Sequence, residues 1–224
     1  AFFGSSSASI ASVQYSGMAK YKATHRISMY GGLRLVGLSG DALVSSPFDP
    51  RFIPVYTLNV DKDWQAGYLV GAAYEVPDIA LRVSLTYESK TEHDFRDNTG
   101  APFEVELPRS FTLHAQSGIA KDTLLFASVR WREWSEFEIA PQDFANISGG
   151  AAIAFGTDDI FTYRLGLGRR IDENWSGAVI LGYEAQTDNQ VGNLEGTDGF
   201  ISYTVALTHE TESWDVTGAL SYID

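Results

Sequence analysis

The sequence of 224 residues contains no cysteine and little positive charge. Without cysteine the chain cannot form disulfides or a thiolate metal site, and it suits either redox compartment. Lysine and arginine number 16 against 29 aspartates and glutamates, which gives a net charge of -13. Because binding to phosphate requires clustered basic residues, this balance argues against nucleic acid as a partner.

Long hydrophobic runs and amphipathic helices are also missing. No segment approaches the roughly 18 to 20 consecutive apolar residues of a transmembrane helix, and the mean hydropathy is -0.11. The N-terminal AFFGSSSASIASVQY lacks the positive charge and apolar core of a signal peptide, so we expect a mature chain or a fragment. The chain is nevertheless 44% apolar and 13% aromatic, which is enough for a substantial core.

Apolar and polar residues alternate with a period of two along most of the chain, which predicts an all-β protein. In SWDVTGALSY, the apolar residues Trp214, Val216, Leu220 and Tyr222 fall on one face of a strand, and polar or small residues fall on the other. Ten strands are predicted, at roughly 8–22, 26–39, 65–76, 80–95, 103–118, 121–139, 160–170, 174–186, 199–209 and 212–223.

Three features of these strands favour an antiparallel transmembrane β-barrel over a soluble sheet. Their apolar rows often end in Trp or Tyr, as an interfacial girdle requires. They are longer than the usual 5 or 6 residues of soluble sheets. Short links near 22–26, 76–79, 119–122, 170–174 and 209–213 alternate with long ones near 40–63, 96–102, 140–159 and 187–198. By the usual rule the short turns face the periplasm.

The segment LLFASVRWREWSEF (124–137) combines both kinds of face. Alternation predicts that one set of its residues faces lipid and the other faces the barrel lumen. The lipid-facing set is Leu125, Ala127, Val129 and Trp131, and the lumenal set is Phe126, Ser128, Arg130, Arg132 and Trp134. Charge can be accommodated there because the lumen is wet, or because Glu133 and Glu136 lie near enough to interact once the strand leaves the membrane.

Several motifs resemble the FadL family of outer-membrane transporters for hydrophobic compounds. The resemblance lies in the runs 63–95 and 107–137 and in DENWSGAVILGY (172–183). Its residues are Trp64, Gly67, Tyr74, Glu75, Leu85, Tyr87, Ser89, Leu107, Pro108, Trp134, Ser135 and Phe137. The resemblance implies a monomeric 14-stranded barrel, closed by an N-terminal hatch, that captures fatty acids or other hydrophobic molecules in outer loops and releases them laterally through a kinked strand wall.

The sequence departs from that family at both ends. It shows neither the hatch with its N-P-A motif nor a last strand that ends in an aromatic residue. Ten strands alone would leave two unpaired edges, which a bilayer does not tolerate. We therefore expect residues 1–224 to be a single β-barrel domain that is part of a longer barrel, with the hatch, the first strands and the last strand not included.

No enzyme, cofactor or metal site is predicted. The four histidines, His25, His93, His114 and His209, are dispersed without ligand spacing. The G-x-G of GLGRR lies inside a strand and therefore does not fit a phosphate loop. Ser110 and His114 could serve a barrel hydrolase, but no nucleophile motif singles out one serine.

Two long loops, at 42–58 and 141–155, contain apolar residues. Such residues are unusual at a surface unless they pack together or bind something. Both readings stay open for these loops. Arginines could fix the head group of an amphipathic carboxylate or could pair with lumenal acids. The candidate ligand-binding residues are Arg34, Phe48, Phe52, Arg130, Arg132, Trp134, Phe137, Phe144, Phe155 and Arg164.

The sequence thus predicts a passive bacterial outer-membrane transporter for hydrophobic small molecules such as long-chain fatty acids. Its expected partners are that ligand and the outer-membrane lipids with lipopolysaccharide. The alternatives are a general porin, a structural or adhesive outer-membrane barrel, and a soluble β-sandwich or lipocalin-like binder.

Overall fold

The computed structural model describes residues 6–45, 55–187 and 198–224. Fourteen strands and one short α-helix lie within these ranges. They are β1 (Ser7–Lys22), β2 (Ile27–Val44), β3 (Tyr56–Val76), β4 (Leu81–Glu88), β5 (Thr91–Arg96), β6 (Pro102–Leu107), β7 (Ser110–Ala120), β8 (Thr123–Arg132), β9 (Glu138–Ile139), α1 (Gln142–Ser148), β10 (Ala154–Phe155), β11 (Ile160–Arg170), β12 (Trp175–Glu184), β13 (Phe200–Glu210) and β14 (Asp215–Ile223).

Ten of the strands form one antiparallel sheet, which confirms the predicted fold class. Its order is β1-β2-β3-β4-β7-β8-β11-β12-β13-β14. Every strand therefore pairs with its neighbour in this series, and β1 and β14 lie at the two edges of the sheet as described. The hairpin β5–β6 and the pair β9–β10 are separate small sheets inserted between sheet strands. Among the residues described, no helix is long and apolar enough to cross a bilayer.

The two faces of the large sheet differ as the alternation predicts. The outward face, which carries the apolar rows of the alternating pattern, is a continuous apolar surface that no second layer of the described residues covers. On β12, Val179 and Leu181 are 54% and 51% exposed, and the pattern continues across the neighbouring strands. The other face is concave, since residues of six strands surround one pocket on it. In the segment 124–137, Leu125 and Trp131 lie outward while Arg130 and Arg132 line that pocket.

Aromatic rings form a row on the outward face near the long loops. Tyr68, Tyr87, Phe111 and Trp131 follow one another across β3, β4, β7 and β8, with successive ring centroids 5.9, 4.9 and 5.7 Å apart. At the short-turn end, the ring of His209 lies 4.5 Å from that of Trp175 and 5.5 Å from that of Trp214. The girdle pattern inferred from the sequence therefore exists as two sets of contacting rings.

Several predicted strand boundaries were wrong. Most of the long link predicted at 40–63 is strand, because β2 continues to Val44 and β3 begins at Tyr56. Two other predicted strands, 80–95 and 103–118, are each divided into two. Their outer halves leave the large sheet and form the β5–β6 hairpin, which packs against β3.

Candidate hydrophobic ligand site

An apolar cavity of about 250 Å³ lies at the long-loop end of the sheet. Its floor is formed by the loop-side halves of β2 and β3, including Leu38 and Val60, and by the start of β1. The β5–β6 hairpin contributes Phe95 and Val105, and the segment after β8 contributes Phe137. This volume lies just below the range of about 300 to 1,000 Å³ typical of small-molecule pockets. The arrangement can hold a small apolar molecule or one segment of a longer one.

The sequence explains why these elements cover the sheet. Along β5, Thr91, His93 and Phe95 alternate with exposed charged residues, so one face of the hairpin is buried. Phe95 and Val105 form a buried cluster with Leu38, Phe137 and Ala154. The hairpin and the 134–156 segment therefore stay on the sheet by burying apolar surface against it.

A second cluster anchors α1 beside the cavity. Phe144 is 1% exposed and packs with Val44, Tyr56 and Leu58. Its ring centroid lies 5.0 Å from that of Tyr56, whose hydroxyl donates a 2.7 Å hydrogen bond to Asp143. Phe144 thus belongs to a loop core and does not line the cavity.

A carboxylate ties the tip of the β5–β6 hairpin to this loop. One oxygen of Asp97 accepts hydrogen bonds from the Thr99 hydroxyl and from the amides of Thr99 and Ala101. The other accepts the backbone N–H of Asp143 at 3.0 Å. The Thr99 hydroxyl bond, assisted by the backbone donors, lowers the pKa of Asp97. The charged form of Asp97 therefore holds the hairpin tip and the α1 loop together.

A polar pocket of about 610 Å³ adjoins the cavity on the concave face. Arg130, Arg132 and Arg164 line it together with Glu184 and Trp134. Trp134 also lines the apolar cavity and stacks on Phe137 with ring centroids 4.7 Å apart. The Arg132 guanidinium lies 5.6 Å from the Trp134 ring centroid, within cation–π range. One side chain thus borders both an apolar and a cationic compartment.

The arginines of this region fall into two classes. Arg34 and Arg130 share the carboxylate of Glu88, at 3.7 and 3.0 Å, and Arg34 also donates to the Ser89 carbonyl at 2.7 Å. Within the part of the chain that the structure describes, the side chains of Arg132 and Arg164 form neither a hydrogen bond nor an ion pair. The suggestion that Glu133 interacts with these arginines was wrong, because Glu133 pairs with Arg109 instead.

The structure brings together some of the predicted ligand-binding residues. Trp134 and Phe137 meet at the cavity, and Arg130, Arg132 and Arg164 meet in the adjoining pocket. Arg34 is held in the Glu88 network, and Phe155 lies 45% exposed on β10. Phe48 and Phe52 lie outside the described residues.

Sequence reasoning missed most of the cavity wall. The missed residues include Leu38, Val60, Phe95, Phe103, Val105 and Ile139. The signal was present in PFEVEL, where Phe103 and Val105 alternate with glutamates. That alternation was assigned to the membrane wall, since sequence alone does not show that the strand leaves the large sheet.

Comparisons with known proteins give structural matches only. No protein family matches the sequence, and no curated protein does. A Pseudomonas aeruginosa FadL homologue superposes with a TM-score of 0.73 at 15% identity, over 97% of this chain and 61% of that one. The CymD monoaromatic hydrocarbon channel gives 0.65 at 15% identity, over 97% and 70%. The Pseudomonas putida toluene transporter TodX gives 0.60 at 12% identity, over 96% and 70%.

These matches cover nearly the whole chain but only about three fifths to seven tenths of the solved structures. At such low identity they establish a common architecture, and they agree with the motifs that suggested the family. The chain therefore shares the fold of the FadL homologue and of the hydrocarbon channels, which confirms the resemblance at the level of structure.

Proposed function

We propose that this chain forms part of an outer-membrane barrel through which hydrophobic small molecules enter passively, after capture in the apolar cavity. The observation that carries the proposal is the position of this cavity at the long-loop end of a sheet whose outward face is exposed and apolar. A continuous apolar surface of this extent is stable in contact with lipid and unstable in water. The named activities of the structural neighbours, hydrocarbon channel and toluene transporter, support the same function.

The cavity supplies the affinity for such a ligand. Each methylene that leaves water for an apolar wall contributes about 0.8 kcal/mol. Neither a cofactor nor an energy source is needed, because the ligand moves down its own gradient. We accordingly propose a transport protein and not an enzyme.

The proposed ligand class extends to amphipathic carboxylates such as long-chain fatty acids. An apolar tail would lie in the cavity, and its head group would reach the pocket beside Trp134. The absence of any acid partner within the described residues leaves Arg132 and Arg164 available for a carboxylate. A charge-assisted bond to arginine is the strongest single contact that such a head group can make.

Lateral release is the proposed exit. The pairing of β2 with β3 is interrupted by a bulge between Leu38 and Gly40, and both residues line the cavity. The cavity wall also includes Ile10 of β1, the edge strand of the sheet as described. An interrupted ladder beside a hydrophobic cavity offers an apolar molecule a direct route to the surrounding lipid.

The remaining proposals concern the assembly. The chain is proposed to form part of a monomeric 14-stranded barrel, in which further strands pair with the edges of β1 and β14. Outer-membrane lipids and lipopolysaccharide would surround its outward face.

A substitution that fills the cavity tests whether the cavity binds the ligand. Ala154 is buried in the cavity wall, and Ala151 is exposed in the same loop. We expect Ala154→Trp to abolish binding of a neutral fluorescent hydrophobe to the purified protein and its uptake by cells, while Ala151→Trp retains both. Equal binding by the two variants would remove the cavity from the proposal.

The polar concave pocket is the observation that favours the alternative, a general porin. Conductance in planar bilayers distinguishes the two functions. We expect small or no steady currents from the whole protein, whereas large steady currents would indicate an open aqueous pore.

A further inference from the structure

His93 is completely buried between the β5–β6 hairpin and the large sheet. It lies on β5, on the face of that strand that packs against β3. A fully buried histidine outside the membrane wall is unusual unless its ring nitrogens are hydrogen-bonded. The surroundings of the ring therefore show what it does.

The two ring nitrogens have different surroundings. Nε2 lies 3.2 Å from the hydroxyl of Thr91, within hydrogen-bond distance. Nδ1 lies 3.3 Å from Oδ2 of Asp63 on β3, which is close enough for an ion pair, but the geometry does not give a hydrogen bond. Protonation would therefore place a positive charge at a site that is closed to solvent, where the nearest counter-charge is the Asp63 carboxylate at 3.3 Å.

Asp63 is also the residue that fastens the hairpin to β3. The same oxygen, Oδ2, accepts hydrogen bonds from the Gln65 side chain at 2.9 Å and from the backbone N–H of Asp94 at 3.3 Å. The second of these bonds joins β5 directly to β3. A change of charge at His93 thus acts where the hairpin is attached to the sheet.

The cavity wall lies next to this point. The ring of Phe95 stacks near that of His93, with centroids 6.3 Å apart and planes 13° apart. Phe95 lines the apolar cavity and packs with Val105 and Phe137. Movement of the hairpin at His93 would therefore displace a wall of the ligand site.

Burial favours the neutral ring in the packed hairpin. Burial lowers the pKa of His93, and the carboxylates of Asp63 on β3 and Asp94 on β5 oppose that effect only in part. Because the packed hairpin binds the proton less well than an exposed histidine, its stability is complete above the ordinary histidine pKa of about 6.5. That stability is lost as the pH falls from there through the lowered pKa.

We propose that His93 is a proton-sensitive pin, whose protonation loosens the β5–β6 hairpin from β3 and opens the apolar cavity. Acidification then weakens the retention of an apolar ligand. The loosening is a property of the fold alone, whereas its consequence for the ligand rests on the proposed function.

Amide hydrogen exchange of the detergent-solubilised protein tests the loosening without any ligand. We expect exchange in residues 91–107, corrected for the intrinsic pH dependence, to increase about threefold or more between about pH 7.5 and pH 5. Exchange in β12 should not change. Exchange independent of pH, or slower in acid, would overturn the proposal.

Variants separate His93 from the other histidines. His93→Gln and His93→Asn keep a neutral polar side chain, and each should abolish the pH dependence. His25→Gln, in an exposed turn at the opposite end of the sheet, should retain it. Persistence of the acid effect in either His93 variant that keeps wild-type exchange in β12 would assign it to another group.

The ligand arm uses N-phenyl-1-naphthylamine, which stays uncharged over this range. We expect its dissociation constant to rise in acid in step with the exchange. Acid-induced exchange in a protein that never binds this probe would leave the pin intact and contradict the proposed function. Probe binding that does not change while the hairpin loosens would overturn the link between the pin and the cavity.

Discussion

Arg132 and Arg164 differ from Arg34 and Arg130 in what neutralises them. Arg34 and Arg130 share Glu88. Arg132 and Arg164 face the pocket, and their side chains form no ion pair with an acid among the described residues. A single anionic head group placed between Arg132 and Arg164 would supply the missing charge. The two residues are therefore expected to distinguish charged ligands from neutral ones.

Replacing Arg132 tests this difference. We expect Arg132→Gln to weaken binding of a long-chain fatty acid about tenfold, since a hydrogen bond to a charged group contributes about 1.5 to 3 kcal/mol. Binding of the corresponding methyl ester should hardly change. Competition of both compounds against a neutral fluorescent probe measures the two affinities.

Arg82→Gln provides the matched control. Arg82 is also on the concave face but pairs with Glu75 at 3.2 Å, away from the pocket. Its substitution should leave both affinities unchanged. A parallel loss of acid and ester in Arg132→Gln would show that the residue shapes the site without binding the head group.

At the same scale, sequence patterns located the arginines but not their partners. Alternation placed Arg130 and Arg132 on the concave face, as the structure confirms. The ion pair between Arg130 and Glu88 depends on the register of β4, β7 and β8. In that register Glu88 is opposite Ser110, and Ser110 is opposite Arg132, two residues from Arg130. Nothing local in the sequence specifies that register, so the only acidic partners that the sequence suggested for this segment were its neighbours along the chain, Glu133 and Glu136.

The bulge in β3 explains why the predicted strand at 65–76 was too short. Before it, the even-numbered residues Tyr56 and Leu58 are buried, and after it the odd-numbered Gly67 and Leu69 are buried. One extra residue reverses which side chains face inward. A search for strict alternation therefore ends at the bulge, and the outer half of the strand was read as loop.

The contact between the hairpin tip and the α1 loop gives a prediction at the scale of elements. Because Asp97 accepts bonds from its own turn and from the amide of Asp143, we expect Asp97→Ala to release both segments. Faster amide exchange in residues 97–101 and 141–148, without change in β12, would be the result. Asp94→Ala, with an exposed side chain on the same hairpin, should leave both segments protected.

The pH response of this contact differs from that of His93. A carboxylate with a lowered pKa contributes fully above the usual aspartate value of about 3.9 and loses its effect only as the pH falls through the lowered pKa. Loosening at about pH 5 should therefore affect residues 91–96 before residues 141–148. Simultaneous loosening of both segments at that pH would contradict this order.

The whole molecule is expected to depend on which face meets lipid. We predict that Val179→Arg, on the exposed outward face of β12, prevents assembly into outer membranes, since arginine at the lipid midplane costs about 2 to 4 kcal/mol. Ile180→Arg, one residue along on the concave face, should assemble. Heat-modifiable migration in gels and membrane fractionation measure the outcome, and equal assembly of both variants would contradict the assignment of the faces.

At this scale the sequence was most informative. Ten alternating segments and the rhythm of short and long links were enough to predict the sheet and the order of its neighbours. The cavity was not predictable in the same way, because it depends on how the β5–β6 hairpin and the 134–156 segment fold back over β2 and β3. Those packing contacts join distant parts of the chain and carry no periodic signal.

Two segments cover the cavity, the β5–β6 hairpin and residues 134–156. Each begins and ends at strands of the large sheet that pair with one another. The register continues from Glu88 to Ser110 beneath the first segment and from Arg132 to Ile160 beneath the second. The pairing of the sheet strands is thus continuous without these two segments, and each segment is an insertion between paired strands. Exchanging these segments between proteins that share this fold should change ligand preference while the sheet stays as it is, so that one part can be altered in evolution or by engineering without rebuilding the other.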